Sequence, residues 1–476
     1  MIELSSSISD YILETFGGDF LENYKLFVES KYLPAIRFPV NDKTILLTIK
    51  SLEEQGIELE QIPEIPNSFF VKKGEDQIGK TIEYTLGKYY IQSLSSMIPP
   101  MILNPGEKDI VLDLCAAPGS KSTQLAEIMN YKGTLFSNEP NLNRIKALIH
   151  NLDKMNIINM SVIKDKGELL SKYFSNYFDK ILVDAPCSAL GVVQKKQEVS
   201  NWWSEKSANT ISDLQLRLLI SGIKMAKPGG EIVYSTCTLT VEENEFIIDK
   251  VLKKYPVELV EFDLKLKHIN GYTAIKEFVF DESLKLTKRI IPWEIKSEGF
   301  FLAKLRKTGT TESSKDHFNK YTKKVIVNAQ SPKIKNYLKE VSDHFGIPIH
   351  LFSNYKYLIN GNDINFINVE TQEFDPDFFL RVGTKFGIID KNNSLKLHSH
   401  AMQILGSFAE KNIYEITNEN DLKIYMSGGN IKSNFDVSGQ KIIKYKNMIL
   451  GAGTANENSL KSQFPRSKRT SNISIF

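Results

Sequence analysis

Three cysteines, Cys115, Cys187 and Cys237, are the residues whose settings suggest chemistry. Cys115 follows the apolar run Ile110–Leu114. Cys187 follows Ile181–Val183 as Asp184-Ala185-Pro186-Cys187-Ser188, and Cys237 follows Ile232–Tyr234 within Ser235-Thr236-Cys237-Thr238. A lone cysteine is usually a small buried hydrophobe. Two of them at corresponding strand ends, each in a polar turn, point instead to thiol chemistry. The attacking species is a thiolate, which a cationic neighbour or a helix terminus favours. Lys121 is a candidate neighbour. The helix that begins near Glu242 is another, although its acids Glu242 and Glu243 oppose the effect. Three cysteines in a chain of this length argue against a disulfide framework or a cysteine-rich zinc site, and no metal is expected.

The stretch Asp109–Met129, DIVLDLCAAPGSKSTQLAEIM, reads as strand, tight turn and helix, with Ser120 or Ser122 as a possible cap. Such a corner holds a cofactor in a doubly wound sheet. A dinucleotide fingerprint needs three glycines, and this turn holds Gly119 alone. A P-loop needs glycine where Cys115 and Ser120 stand. The corner therefore suits a ligand without a diphosphate. Glu139, twenty residues past Gly119, can accept from ribose hydroxyls. A ribose ligand without a diphosphate suggests S-adenosylmethionine. Methylation of oxygen or nitrogen needs no protein nucleophile, whereas C5 of a pyrimidine is too electron-poor to react unaided. A thiolate adding to C6 makes C5 nucleophilic. Asp184 can pair with the base ring and, if protonated, donate to N3. Trp202 and Trp203 can line a base pocket or belong to the core.

These motifs resemble those of the Sun-domain (Nol/Nop/Sun) family of RNA cytosine-C5 methyltransferases. CAAPGSK at 115–121 resembles the family's cofactor loop, DAPCS at 184–188 its Pro-Cys motif, and STCTLTVEENE at 235–245 its Thr-Cys motif. YYIQSLSSMIPP at 89–100 and EGFFLAKL at 298–305 resemble the segments that flank them. The resemblance implies Cys237 as nucleophile and Cys187 as the residue assisting breakdown of the covalent intermediate. Lys121 and Asp184 complete the expected catalytic set. It assigns cofactor contacts to Cys115, Ala116, Ala117, Pro118, Gly119, Ser120, Lys121, Glu139, Asp165 and Asp184, with Arg144 as a weaker candidate. The Asp165 turn departs from the family pattern in reading Lys164-Asp165-Lys166-Gly167. DNA cytosine methyltransferases use the Pro-Cys cysteine as nucleophile, so Cys237 favours RNA.

The elements that must position these residues alternate between strand and helix: 110–114, 123–130, 134–137, 142–155, 160–163, 180–183, 211–226, 231–235 and 242–254. The expected fold is an α/β, Rossmann-like methyltransferase core with a mostly parallel sheet. A small N-terminal α/β domain precedes it and β-rich, PUA-like modules follow. Expected boundaries are 1–80 for the cap, 81–307 for the catalytic domain, 308–323 for a linker, 324–395 for a small α/β module and 396–476 for a PUA-like RNA-binding module. Residues 1–35 read as helical, Ser51–Gly56 as a short helix, and the stretch from Tyr89 as helical at first. Strands are expected at 324–327, 363–369, 385–389, 422–426 and 441–450.

The net charge of +3 conceals an asymmetry: K/R minus D/E gives about −5 for residues 1–305 and about +8 for 306–476. KYTKK at 320–324, KYK at 444–446 and KSQFPRSKR at 461–469 suit a polyanion, with Tyr445 available for stacking. The C-terminal segments 424–433, 439–453 and 458–469 resemble the extension of the bacterial RsmF type. That resemblance implies small-subunit ribosomal RNA, or the assembling subunit, as partner. The composition is that of a soluble protein without a membrane span or signal peptide, so a cytoplasmic location is expected. A monomer without a DNA partner is expected as well. Two rival readings remain open: a methyltransferase for another acceptor, and an inactive RNA-binding ribosome assembly factor.

Overall fold

The structure, a computed structural model, describes residues 4–195, 198–312, 324–372 and 374–469. The chain opens with two helices, α1 (Ser6–Phe16) and α2 (Gly18–Glu29). Their buried faces, Ile8, Tyr11, Ile12, Leu21, Tyr24, Phe27 and Val28, pack on Ala189, Leu190, Val192 and Leu239 of the catalytic region. The hairpin therefore braces the turns beyond both Cys187 and Cys237. A four-stranded sheet follows, built from 35–37, 58–61, 68–73 and 90–91. The intervening helix spans Ile45–Glu54, longer than the expected 51–56. Tyr90–Ile91 joins this sheet as a strand, so the stretch from Tyr89 begins extended and becomes helical at Ile98–Leu103.

The central sheet has ten strands. They are β1 (Ile110–Asp113), β2 (Thr134–Asn138), β3 (Met160–Ile163), β4 (Phe178–Asp184), β5 (Ala226–Thr236), β6 (Val257–Leu259), β7 (Ile269–Asn270), β8 (Lys288–Ile290), β9 (Phe300–Lys307) and β10 (Arg381–Val382). The spatial order is β7-β8-β9-β5-β4-β1-β2-β3-β10, with β6 also on β9. Strands β1 to β5 pair in parallel, and β9 lies antiparallel to β5. The helices that link them are α3 (Ser120–Ile128), α4 (Leu142–Lys154) and α5 (Glu205–Met225), and α6 (Glu245–Leu252) follows β5. The apolar runs behave as buried strands should: Val111, Leu112, Leu135, Phe136, Ile181, Leu182, Ile232 and Val233 are fully buried. Chain order reverses at β1, leaving a crevice between β1 and β4 beyond their C-terminal ends, where ligands bind in such sheets.

The C-terminal part contains two five-stranded sheets. Strands at Val325–Asn328, Asp363–Asn368 and Thr384–Ile389 lie close to the expected positions. The expected strand at 422–426 is instead a helix, Glu419–Ser427, capped by Asn418. The expected 441–450 strand is a hairpin of Gly439–Tyr445 and Met448–Asn456, turned at Lys446 with φ +50°. Most of the expected linker, and Lys320 and Lys323 of the first basic segment, lie outside the described residues. Arg381–Val382 crosses back to pair with Val162 and Ser161 of β3, extending the catalytic sheet at its edge.

Candidate active site

The crevice starts at the turn after β1. Gly119 has φ +106° and caps α3, a conformation that disfavours any side chain. A Cβ there would meet Leu148 Cδ1 at 2.9 Å, so the glycine also lets α3 pack against α4. Neither Ser120 nor Ser122 caps the helix. The Ser122 hydroxyl donates instead to Asp113 Oδ2 at 2.6 Å. Burial, together with Asp184 nearby, pushes the Asp113 carboxyl up to about 7. Burial likewise raises the Cys115 thiol well above its ordinary range, helped by the surrounding acids, which favours its neutral form.

Acids stand at or just beyond the ends of the next three strands. Glu139, past β2, is 1% exposed and accepts from Asn141 N at 2.9 Å. Arg144 Nη1 pairs with Glu139 Oε2 at 3.0 Å and its Nη2 donates to the Ala117 carbonyl at 2.7 Å. Arg144 thus ties the acid to the cofactor turn. Asp165, past β3, is half-buried, and its backbone N donates to Asn138 Oδ1 at 3.2 Å. Asp184, at the end of β4, accepts from Ser235 Oγ and pairs with Lys121 Nζ, both at 2.7 Å.

Lys121 reaches this pair from the first turn of α3, also donating to Ser96 Oγ at 2.9 Å and lying 5.4 Å from the Phe300 ring centre. Burial works against its charge, but Asp184 outweighs it and holds the ammonium above its ordinary range. Negative charge on Cys237 would add to this effect.

The sulfur atoms of Cys187 and Cys237 are 3.2 Å apart. Both residues are half-buried free thiols. The hydrogen bond between them and burial hold the Cys187 thiol well above its usual range. Residues that the sequence reading missed hold the two turns. Gly191 N donates to the Cys237 carbonyl at 3.0 Å, and Gly299 N donates to the Gly191 carbonyl at 2.9 Å. A Cβ on Gly191 would fall 2.4 Å from the Gly299 carbonyl oxygen and 2.8 Å from that of Cys237. Asn244 accepts from Thr236 Oγ1 at 2.6 Å and donates to the Thr238 carbonyl at 3.1 Å, bridging the residues beside Cys237.

The acids after Cys237 do not face the sulfurs as free charges. Glu242 accepts from Tyr11 OH at 2.7 Å, Glu243 from Ser188 and Gln215, and Glu245 is buried against Arg289. Trp203 is 4% exposed and packs on Tyr11, which makes it core; the side chain of Trp202 lies outside the described part. Tyr445 is also buried, within the last C-terminal core, so it cannot stack on a base. Lys468 is buried too, and burial pushes its ammonium down to about 8, whereas Lys446, Lys461 and Arg466 are exposed. Among the described residues no cluster suits a metal ion, and no helix is long and apolar enough to cross a membrane.

A family model described as 16S rRNA methyltransferase RsmB/F matches residues 100–306. The ribosomal RNA small subunit methyltransferase F of Shewanella piezotolerans is 30% identical over 461 residues, covering 94% of this chain and 93% of that protein. The chain belongs to the RsmB/F family of RNA methyltransferases. The tRNA (cytosine(49)-C(5))-methyltransferase of Pyrococcus abyssi is 36% identical over 287 residues, 60% of this chain and 92% of that one. A solved methyltransferase homologue from Pyrococcus horikoshii superimposes with a TM-score of 0.57 at 29% identity, covering 64% of this chain and 96% of that one. The RsmB/F match spans both cysteine turns and the Gly119 corner, so the paired thiols fall within the shared methyltransferase region.

Proposed function

We propose that the protein is an S-adenosylmethionine-dependent RNA methyltransferase that makes 5-methylcytosine in small-subunit ribosomal RNA through a covalent bond from Cys237 to C6. The observation that carries this reading is the pair of thiols 3.2 Å apart, beside the Lys121–Asp184 ion pair at the β1/β4 crevice. The donor set fits the cofactor. The 115–120 backbone, Glu139 and Asp165 offer acceptors for ribose and adenine, and Asp184 offers negative charge to a cationic amino-acid portion. When bound, the cofactor supplies a methyl group on a positively charged sulfur.

Cys237 attacks C6 of the cytosine as a thiolate, forming an S–C6 bond while the C5–C6 π electrons move toward C5 and the ring. The Lys121 ammonium supplies positive charge where this anionic group forms. Asp184, an acceptor in both of its contacts, can accept from the cytosine amino group. Once C5 carries its methyl group, the C5 proton passes to a base from solvent, the C5–H electron pair restores the C5–C6 double bond, and the S–C6 bond breaks with its pair leaving on the Cys237 sulfur. Cys187, in contact with the departing sulfur, assists this last step. The target nucleotide must leave its stack to reach Cys237. The C-terminal sheets, with exposed Lys446, Lys461 and Arg466, serve RNA binding.

Bisulfite sequencing of small-subunit ribosomal RNA, with and without the protein, tests the product and the site. Cys237→Ser should abolish methylation. Cys187→Ser should accumulate a protein–RNA species that resists SDS. Turnover by Cys237→Ser defeats the covalent reading.

A further inference from the structure

Glu243 is a buried acid for which the reaction above has no use. It is completely buried, in the turn that follows Cys237. Its Oε2 accepts from Ser188 N at 2.9 Å and from Gln215 Nε2 at 2.8 Å. Its Oε1 accepts from Thr240 Oγ1 at 2.7 Å and from the Ser188 hydroxyl. Among the described residues no cation pairs with it. Gln215, reaching across from α5, also donates to the Pro186 carbonyl at 2.8 Å. The two chain neighbours of Cys187 are therefore both held, Ser188 by Glu243 and Pro186 by Gln215, and Gln215 is itself held by Glu243. Thr240 links the same carboxylate to the Cys237 turn, and the Ser188 hydroxyl lies 3.0 Å from Thr238 Oγ1.

A buried carboxylate without a cation is costly unless donors saturate it, and truncating one partner of such a network leaves the others unsatisfied. Packing alone would be met more cheaply by an apolar side chain. Here the carboxylate does something packing cannot: it links one cysteine turn to the other through directional bonds, with its charge on the Cys187 side. Burial pushes the Glu243 carboxyl above its ordinary range while the Ser188, Thr240 and Gln215 donors favour its charged form, and that charge adds to the contact with Cys237 and burial in raising the Cys187 thiol. Lys121, by contrast, sits on the Cys237 side.

We propose that Glu243, with Gln215, is the positioning residue that holds Cys187 against the Cys237 sulfur, and that it acts on release of the covalent intermediate rather than on its formation. The proposal rests on the covalent reading given above.

The test uses the full chain, unmethylated small-subunit ribosomal RNA and S-adenosylmethionine with a tritiated methyl group. Glu243→Gln keeps the shape but places a donor where only donors point. It should lower multiple turnover at least about tenfold, in line with a lost charge-assisted hydrogen bond. Cofactor affinity by calorimetry should stay within about twofold, and an SDS-resistant protein–RNA band should accumulate. Adding Glu243→Gln to Cys187→Ser should change that band less than about twofold, because both act at one step. Gln215→Met, which removes the two donor bonds without changing size much, should show the same pattern more weakly. Normal turnover by Glu243→Gln overturns the proposal. So does a loss of turnover without adduct, or one that multiplies in the Cys187→Ser background. If Glu243→Gln does not fold, Gln215→Met decides by the same criteria. The covalent reading fails separately, if Cys237→Ser turns over or Cys187→Ser traps no adduct.

Discussion

Cys187 and Cys237 end adjacent parallel strands in turns of similar build, and their sulfurs touch, yet what lies behind them differs in sign. The Cys237 turn is gripped at the Cys237 and Thr238 carbonyls by the Gly191 amide and the Asn244 side chain, reaches the Glu243 carboxylate only through the Thr240 hydroxyl, and has the Lys121 ammonium within electrostatic range. The Cys187 turn rests on the buried Glu243 carboxylate. On the covalent reading proposed above, two identical side chains divide one reaction because their supports place different charges beside them. The assignment of roles lies in the supports, and those were the residues least visible in the sequence.

That contrast can be broken from the cationic side first. Lys121→Met removes the positive charge beside Cys237 and leaves Asp184 with Ser235 alone. Steady-state methyl transfer should fall by about 100-fold, the size expected when one electrostatic stabiliser of a developing anion is lost. Little or no trapped adduct should form, the opposite of the outcome for Glu243→Gln. A trapped adduct in Lys121→Met would erase the distinction between the two turns.

Gly191→Ala should have the next largest effect. Its Cβ would sit 2.4 Å from the Gly299 carbonyl oxygen and 2.8 Å from that of Cys237, so one of these backbone segments must move. Overpacking of this kind costs about 1–3 kcal/mol. Turnover should fall about tenfold and the melting temperature should drop.

Asp113 sharpens the comparison as a control: it too is a buried carboxyl, but it stands at the end of β1 and bonds Ser122 of α3 rather than either cysteine turn. Burial raises it to about 7 in the folded protein from an ordinary value of 3.8. A raised acid favours the folded state in its neutral form, so its contribution is complete below about pH 4 and is lost as pH rises through about 7. Asp113→Asn should therefore melt higher than the parent at pH 8, by at least about 2 °C, and with no gain near pH 4. A gain that is uniform with pH would show that Asp113 does not titrate in this range.

The catalytic fold was legible because each of its elements carries its own signal. Apolar runs of strand length alternate with helical periodicity, as in α4 with Ile145, Leu148 and Leu152 buried on one side. The cysteine turns were legible because cysteine is rare in this chain and sits in polar surroundings. The supports were not, because nothing local marks them. Gly191 matters through contacts with Gly299 and Cys237, and Gln215 through a helix that begins far from either turn. Serine spacing suggested a cap for α3, but the Ser122 hydroxyl is taken by Asp113, a competition between distant residues. In the C-terminal part, the helix at 419–427 carries Ile424 and Tyr425, whose propensities suit a strand; the Asn418 cap and the burial of Leu422, Tyr425 and Met426 decide for helix. Tyr445 was misjudged for a related reason: its lysine neighbours suggested a surface, while the alternation of the strand turns its ring inward.

The pairing of Arg381–Val382 with β3 bears on how this protein can be cut down. Asn368 Nδ2 also donates to the carbonyls of Tyr131 and Gly133, and the Phe379 ring lies 4.7 Å from that of Phe136. A fragment ending near residue 307 would bare the backbone ladder of β3 and an aromatic patch next to it, an invitation to self-association. Inactivity of such a fragment would reflect clumping before it reflected any loss of grip on nucleic acid.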